Sequence, residues 1–186
     1  MANPKKITTP LSEETARSLK MGDEVLITGT IYTGRDAAHK RLCEALEKDG
    51  KLPVDLKGEI IYYVGPSPAK PGKAIGSAGP TTSYRMDAYS PAMIHKGGLR
   101  GMIGKGERGE EVIKAMKEKG AVYFAAIGGA AALISKSIKK STPILYEELG
   151  PEAVCKYEVE DFPAIVATDS EGNDLYKEGP KKFKKA

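Results

Sequence analysis

The sequence predicts an α/β domain built around a mixed sheet. Three observations carry that expectation. Short apolar or β-branched runs alternate with amphipathic stretches over the first two thirds of the chain. Gly50 and Gly120 close two of those stretches, where a helix stop belongs. The last third, residues 153–179, changes character and adds further strand-like runs. A chain of 186 residues, 40% hydrophobic and 29% charged, matches one globular domain with an adequate core.

Taken in order, LSEETARSLK (11–20) offers Ser12 as an N-cap ahead of acids in the first turn of a short helix. EVLITGTIYT (24–33) is rich in β-branched residues and reads as a strand. In RDAAHKRLCEALEKDG (35–50), Ala38, Leu42, Ala45 and Leu46 share one helical face. EIIYYVGP (59–66) is a short, nearly all-apolar strand, followed by a Pro/Gly loop over 66–80. TTSYRMDAYSPAMIHKGG (81–98) reads as a helix opening at Thr81 or Thr82, broken or restarted at Pro91. LRGMIG (99–104) is a glycine-weakened strand, and ERGEEVIKAMKEKG (107–120) a helix with early acids and late lysines. AVYFAAIGG (121–129) reads as a buried strand and AAALISKSI (130–138) as a helix. Residues 153–179 read as strands or a hairpin, separated by Pro163 and by a polar turn at 169–174. The expected organisation is a flexible N-terminus over 1–9, one domain over 10–180 and a basic tail over 181–186.

Composition excludes several classes. The 29 basic and 25 acidic residues leave a net charge of +4, much of it in the tail KKFKKA. No aromatic-basic platform accompanies that tail, so it reads as solvated and no nucleic-acid partner is expected. The opening MANPKKITTPLSEE has no apolar core, and no run approaches 18 apolar residues. Neither a signal peptide nor a membrane span is expected, and the cytoplasm is the expected location. Cys43 and Cys155 are the two cysteines. They form no CxxC and lie near no histidine pair, so neither a metal site made by this chain alone nor a structural disulfide is expected.

GLRGMIGKGERG (98–109) contains G-x-G-x-x-G, with Lys105 between its first two glycines. A dinucleotide fold requires an acid about 20 residues further on to hold the ribose, and the next strand has no Asp or Glu. A P-loop fails too: Leu99 stands where its first glycine belongs and Gly106 where its hydroxyl belongs. Two readings remain: an anion site at a helix N-terminus, or a tight turn with a solvated lysine. Two other strand-to-helix junctions resemble this one. TGRDAAH (33–39) places Arg35 after a strand, and GPTTSYRMD (79–87) places two hydroxyls and Arg85 at a helix start. Thr81 and Arg85 are spaced i, i+4, on one face if both are helical. Ligands of α/β sheets sit where such junctions gather. Two guanidiniums and an ammonium suit a dicarboxylate or a phosphate.

GDEVLITGTIYTGRDAAHKRL, GPTTSYRMDAYSP, KGGLRGMIGKG and YEVEDFPAIVATDSEGNDLY together resemble the β subunit of two-subunit class I fumarases and L-tartrate dehydratases. The same sequence type forms the C-terminal domain of single-chain class I fumarases. The resemblance runs from about residue 10 to 178. It implies a swivelling β/β/α fold and a heteromeric hydro-lyase of α2β2 type, with a 4Fe–4S cluster ligated by the α subunit and not by this chain. It also implies that Arg35, Thr81, Arg85 and Lys105 contact the dicarboxylate, with Thr81 near the proton transfer. Junction chemistry selects those four positions independently. The implied reaction is reversible hydration of fumarate to L-malate, with L-tartrate dehydration as the alternative and a non-catalytic anion-binding module as a third reading. For Thr81 the alternative role is a helix N-cap, which Thr82 could fill instead. His39 reads as surface or core filler, or as support for Arg35. His95 reads as a helix end, and Asp36 as a helix N-terminal charge or an orienter of Arg35. Tyr62, Tyr63 and Tyr84 read as packing residues, and Cys43 as inert.

Overall fold

The protein is described by a computed structural model over residues 3–69, 71–126 and 131–183. The first elements are β1 (Lys5–Thr8), α1 (Glu13–Ser18), β2 (Glu24–Thr33), α2 (Asp36–Asp49) and β3 (Ile60–Tyr62). A 3-10 turn (Ser83–Met86), α3 (Ser90–His95), β4 (Gly101–Gly104), α4 (Glu110–Lys119) and β5 (Val122–Ala125) follow. Then come α5 (Ala131–Ser137), β6 (Ile138–Leu145), a 3-10 segment (Glu147–Glu152), β7 (Val154–Thr168) and α6 (Leu175–Phe183).

The strands form one sheet in the order β1-β2-β3-β4-β5-β7-β6. β1 through β5 run parallel, while β7 is antiparallel to β5, to β6 and to β2. The β2–β7 pairing closes β2, β3, β4, β5 and β7 into a barrel-like ring. The sheet is therefore mixed and the protein α/β.

Two cores flank the central strands. Ile60, Tyr62, Ile103, Val122 and Phe124 pack inside the ring with Ile27, Ile31 and Phe162. Their neighbours Ile61, Tyr63, Met102 and Tyr123 face the other way, against Leu42, Met93 and Met116 of the helices. Burial on both faces explains why these strands are apolar throughout instead of alternating. Each large side chain so buried contributes roughly 1.5–3 kcal/mol before entropy is subtracted. At the helix ends, Ser12 Oγ accepts the Thr15 N–H at 3.0 Å, and Gly50 and Gly120 stand at the left-handed C-caps of α2 and α4.

Several expectations require correction. Lys5–Thr8 is a strand paired with Val25–Thr28, where a flexible N-terminus was expected. Its signal is weak because Ile7 is its only buried side chain. Residues 81–98 are not one helix. Thr82 is extended (φ −67°, ψ 126°), and the 3-10 turn and α3 follow as separate pieces with Pro91 in the first turn of α3. Pro163 does not divide the last strand. Ile27 pairs with Phe162 and Gly29 with Val159, so a bulge in β7 takes up an extra residue and lets the strand run on to Thr168. The turn at 169–174 leads into α6 and not a strand, and α6 includes tail residues 181–183. The expected strand end at 127–129, the helix start at Ala130 and tail residues 184–186 lie outside the described residues.

Candidate active site

Arg35, Thr81, Arg85 and Lys105 all follow the C-terminal ends of parallel strands. Arg35 stands two residues past β2, as the N-cap residue of α2. Its guanidinium crosses to the end of β3, where Gly65 leaves room: a Cβ there would collide with Arg35 NH1 and lie 3.2 Å from its Cδ and Cζ. Arg35 Nε is buried without a hydrogen-bond partner, 3.9 Å from Asp36 Oδ2. Arg85, on the 3-10 turn, donates to that same Asp36 Oδ2 at 2.5 Å. Asp36 thus holds the two guanidiniums side by side and is more than a charge for its helix.

Thr81 and Lys105 are joined by backbone. The Lys105 N–H donates to the Thr81 carbonyl at 3.3 Å, and the Thr81 N–H donates to the Tyr63 carbonyl at 2.8 Å. The Ser83 N–H donates to the Lys105 carbonyl at 2.9 Å, completing a short parallel bridge. Gly104 permits this approach, since a Cβ there would strike Ser83 Oγ and the Tyr63 ring. Among the described residues the Thr81 hydroxyl makes no hydrogen bond and the Lys105 ammonium makes no ion pair. Thr81 lies ahead of the helical turn, and Thr82, at its N-cap, makes no side-chain cap either. The helix-cap role therefore falls to neither threonine.

The helix N-termini are occupied by the protein's own carboxylates. Glu152 Oε2 accepts the Ala37 N–H of α2 at 3.0 Å, and Glu152 Oε1 lies 3.7 Å from Arg35 NH2. Asp87 Oδ2 accepts the Gly109 N–H at the start of α4, at 2.6 Å. The leading amide of α4 is thus already taken by a carboxylate of the protein. Gly106 (φ 84°) makes the turn, and the positive charge on offer is the Lys105 side chain.

The sequence matches the family described as Fumarase C-terminus over residues 3–179. The chain belongs to that family. This fumarase C-terminus domain is 44% identical over 153 residues to the aerobic class I fumarate hydratase of Escherichia coli K12, covering 82% of the chain and 28% of the relative. It is 43% identical over 157 residues to fumarate hydratase 2 of Leishmania major, covering 84% of the chain and 28% of the relative. It spans a third or less of the fumarate hydratases it resembles (26–33%). A relative from Methanocaldococcus jannaschii, provisionally named L(+)-tartrate dehydratase subunit beta, matches it nearly end to end: 42% identity over 177 residues, 92% of this chain and 91% of the relative.

The cysteines of this fumarase C-terminus domain do not fit a 4Fe–4S cluster, which takes several gathered thiolates. Cys43 packs against the helix-side core and Cys155 against the ring core, both free, and burial pushes both thiols up from their usual pKa. Among the described residues no three His, Cys, Asp or Glu side chains are grouped to hold a metal. His39 is fully buried beneath Arg35, with Nδ1–H directed at the Arg35 carbonyl at 2.9 Å and Nε2 unpartnered. Burial, reinforced by the nearby Arg108 charge, holds it neutral with a pKa pushed down to about 4. Tyr62 and Tyr63 are buried, whereas Tyr84 is 65% exposed beside Arg85 and packs into neither core. His95 ends α3 and pairs with Glu118 at 3.5 Å. Residue chemistry alone does not single out Glu152, Gly65 or the buried Arg108, nor a role for Asp87 within GPTTSYRMD.

Proposed function

We propose that this chain is the β subunit of a heteromeric 4Fe–4S hydro-lyase that hydrates fumarate to L-malate reversibly. One observation carries the reading: Arg35, Arg85, Lys105 and a Thr81 hydroxyl unpartnered among the described residues gather at one end of the parallel strands. The near end-to-end match to a subunit named beta supports a two-chain organisation, in which a partner α subunit ligates the cluster. L-tartrate dehydration is the second reading, favoured by that same relative. The two substrates share the dicarboxylate that these side chains would hold.

Removing a proton next to a carboxylate spreads negative charge onto that carboxylate. Fixed cations beside it stabilise the transition state more than the ground state. Arg85 and Lys105 take that role, and Arg35 clamps one carboxylate through its planar fork. Asp36 orients Arg35 and Arg85 without closing either fork, since it accepts one Arg85 nitrogen and lies 3.9 Å from Arg35 Nε as an ion pair only. A threonine hydroxyl is a weak base, so Thr81 moves a proton only with neighbouring cations offsetting its charge. Its lack of a hydrogen-bond partner among the described residues leaves the oxygen available for that contact.

The test is anaerobic co-expression with a cluster-bearing α subunit, assayed on fumarate, malate and both tartrate enantiomers. Arg85→Ala should assemble normally and lose about 10²–10³ in kcat/KM. A value near wild type refutes its role. Dicarboxylate binding without turnover, in the assembled complex, would instead favour a non-catalytic anion module.

A further inference from the structure

Two segments carry most of the candidate site, 81–87 and 104–109, and one buried cation fastens them together. The Arg108 side chain is 0% exposed and donates Nε–H to Asp87 Oδ1 at 2.7 Å. Its other nitrogens donate to Ser90 Oγ at 2.7 Å and to Tyr63 Oη at 3.4 Å, with Met102 Sδ at 3.3 Å. The guanidinium lies 5.4 Å and 5.0 Å from the ring centres of Tyr63 and Tyr123. Ser83 Oγ donates to Tyr123 Oη at 2.9 Å, and that hydroxyl donates to the Gly106 carbonyl at 2.9 Å.

This arrangement has a geometric consequence. Asp87 stands two residues beyond Arg85, and Arg108 three beyond Lys105. The Thr81–Lys105 backbone bond ties the near ends of the two segments, and the Asp87–Arg108 ion pair ties their far ends. Arg85 and Lys105 are held between these two ties. Burying a guanidinium is costly unless it is paired and hydrogen-bonded, and an apolar residue would pack at less cost. A planar fork held by a carboxylate, a serine and a tyrosine fixes orientation, which an apolar side chain cannot do.

We propose that Arg108 and Asp87 are positioning residues that set the relative placement of Arg85 and Lys105 in the dicarboxylate site. The inference rests on the hydro-lyase reading above. Neither residue touches substrate; each acts through the loop it holds. Arg108→Lys keeps the charge and removes the fork, while Asp87→Asn keeps the shape and removes the charge.

The test has two readouts. In the intact chain, hydrogen exchange at the Ser83 and Lys105 amides should accelerate about tenfold or more in either variant, while the β5 amides stay protected. In the assembled complex with the cluster-bearing α subunit, kcat/KM on fumarate or L-tartrate should fall about tenfold or more with KM raised. The double variant should be no worse than the poorer single, because the two residues act as one unit. A general loss of structure would instead speed exchange everywhere and lower Vmax with KM unchanged, and that pattern overturns the proposal. So does kcat/KM within about twofold of wild type. Where Arg108→Lys fails to fold, Asp87→Asn decides, since its carboxamide can still accept from Gly109. Arg85→Ala and Lys105→Ala run alongside. If those two retain full activity, the site assignment falls and the positioning inference with it, whereas a wild-type complex without turnover sinks the hydro-lyase reading; if those two lose activity while the Arg108 and Asp87 variants do not, only the positioning inference fails.

Discussion

At Gly65 the absence of one carbon decides where Arg35 lies. The Arg35 guanidinium occupies the space a Cβ would take, so Gly65→Ala must displace a long, flexible side chain and not backbone. The fold should tolerate this, with a stability change under about 1 kcal/mol, because an arginine can adopt another rotamer. The site should not tolerate it: in the assembled complex KM for the dicarboxylate should rise about tenfold, read from initial rates against substrate concentration. Unchanged KM would show that the guanidinium does not clamp a carboxylate from this position. The contrast between Gly65 and Arg35 also marks what a sequence reveals at this scale. Arg35, Thr81, Arg85 and Lys105 are legible because they are chemically conspicuous residues at strand-to-helix junctions. Gly65, Glu152 and Arg108 are not, because their roles arise from long-range approach: 30 residues separate Gly65 from Arg35, and 115 separate Glu152 Oε2 from the Ala37 amide it accepts.

Among the elements, α2 shows how one helix serves both the core and the site. Its buried face contributes Ala38, Leu42 and Leu46, as the helical periodicity predicts, and His39 joins them directly beneath Arg35. His39 is neutral when folded, with a pKa near 4 against 6.5 for a free imidazole. The unfolded chain therefore binds the extra proton first as pH falls. The stability due to this burial is complete above about pH 6.5 and declines by about 1.4 kcal/mol per unit until the folded form also protonates near pH 4. Between pH 6.5 and 4.5 the wild type should lose about 2 kcal/mol more than His39→Gln, measured by urea denaturation at each pH. Glu59 and Asp174, whose pKa values burial pushes up, act with the opposite sign but are present in both proteins and cancel in the difference. Equal pH slopes would mean that water reaches the imidazole. Elements with a single strong pattern, such as α1, β2, α2 and α4, are legible in advance. β1 and the continuous β7 are not, because a strand with one buried residue has little pattern, and a bulge that carries the chain past Pro163 is set by pairing with β2.

For the whole molecule, the decisive feature is that one set of strands separates two cores. Tyr62 faces the ring and meets Phe162 edge to face at 5.3 Å, while Tyr63, next in the chain, faces the helices and meets His39 at 5.3 Å. Neither core keeps its wall if the other is lost, because both walls belong to β3, β4 and β5. Closure depends on β7, which pairs with β2 and β5 across the ring and brings Phe162 into it. Phe162→Ala on the ring side and Leu42→Ala on the helix side should each cost about 2–5 kcal/mol. More tellingly, both should shift one shared transition. With 9 tyrosines and no tryptophan, near-ultraviolet tyrosine signals report the packed side chains while far-ultraviolet circular dichroism reports the backbone. The two probes should give the same urea midpoint in the wild type and in each variant. A variant in which the tyrosine signal melts ahead of the backbone would divide the molecule into two independently stable layers. The candidate site would then rest on the ring alone, since its residues follow β2, β3 and β4. A single transition places site and both cores in one cooperative unit, so that a loosened helix layer would be felt at Arg35 and Arg85 alike.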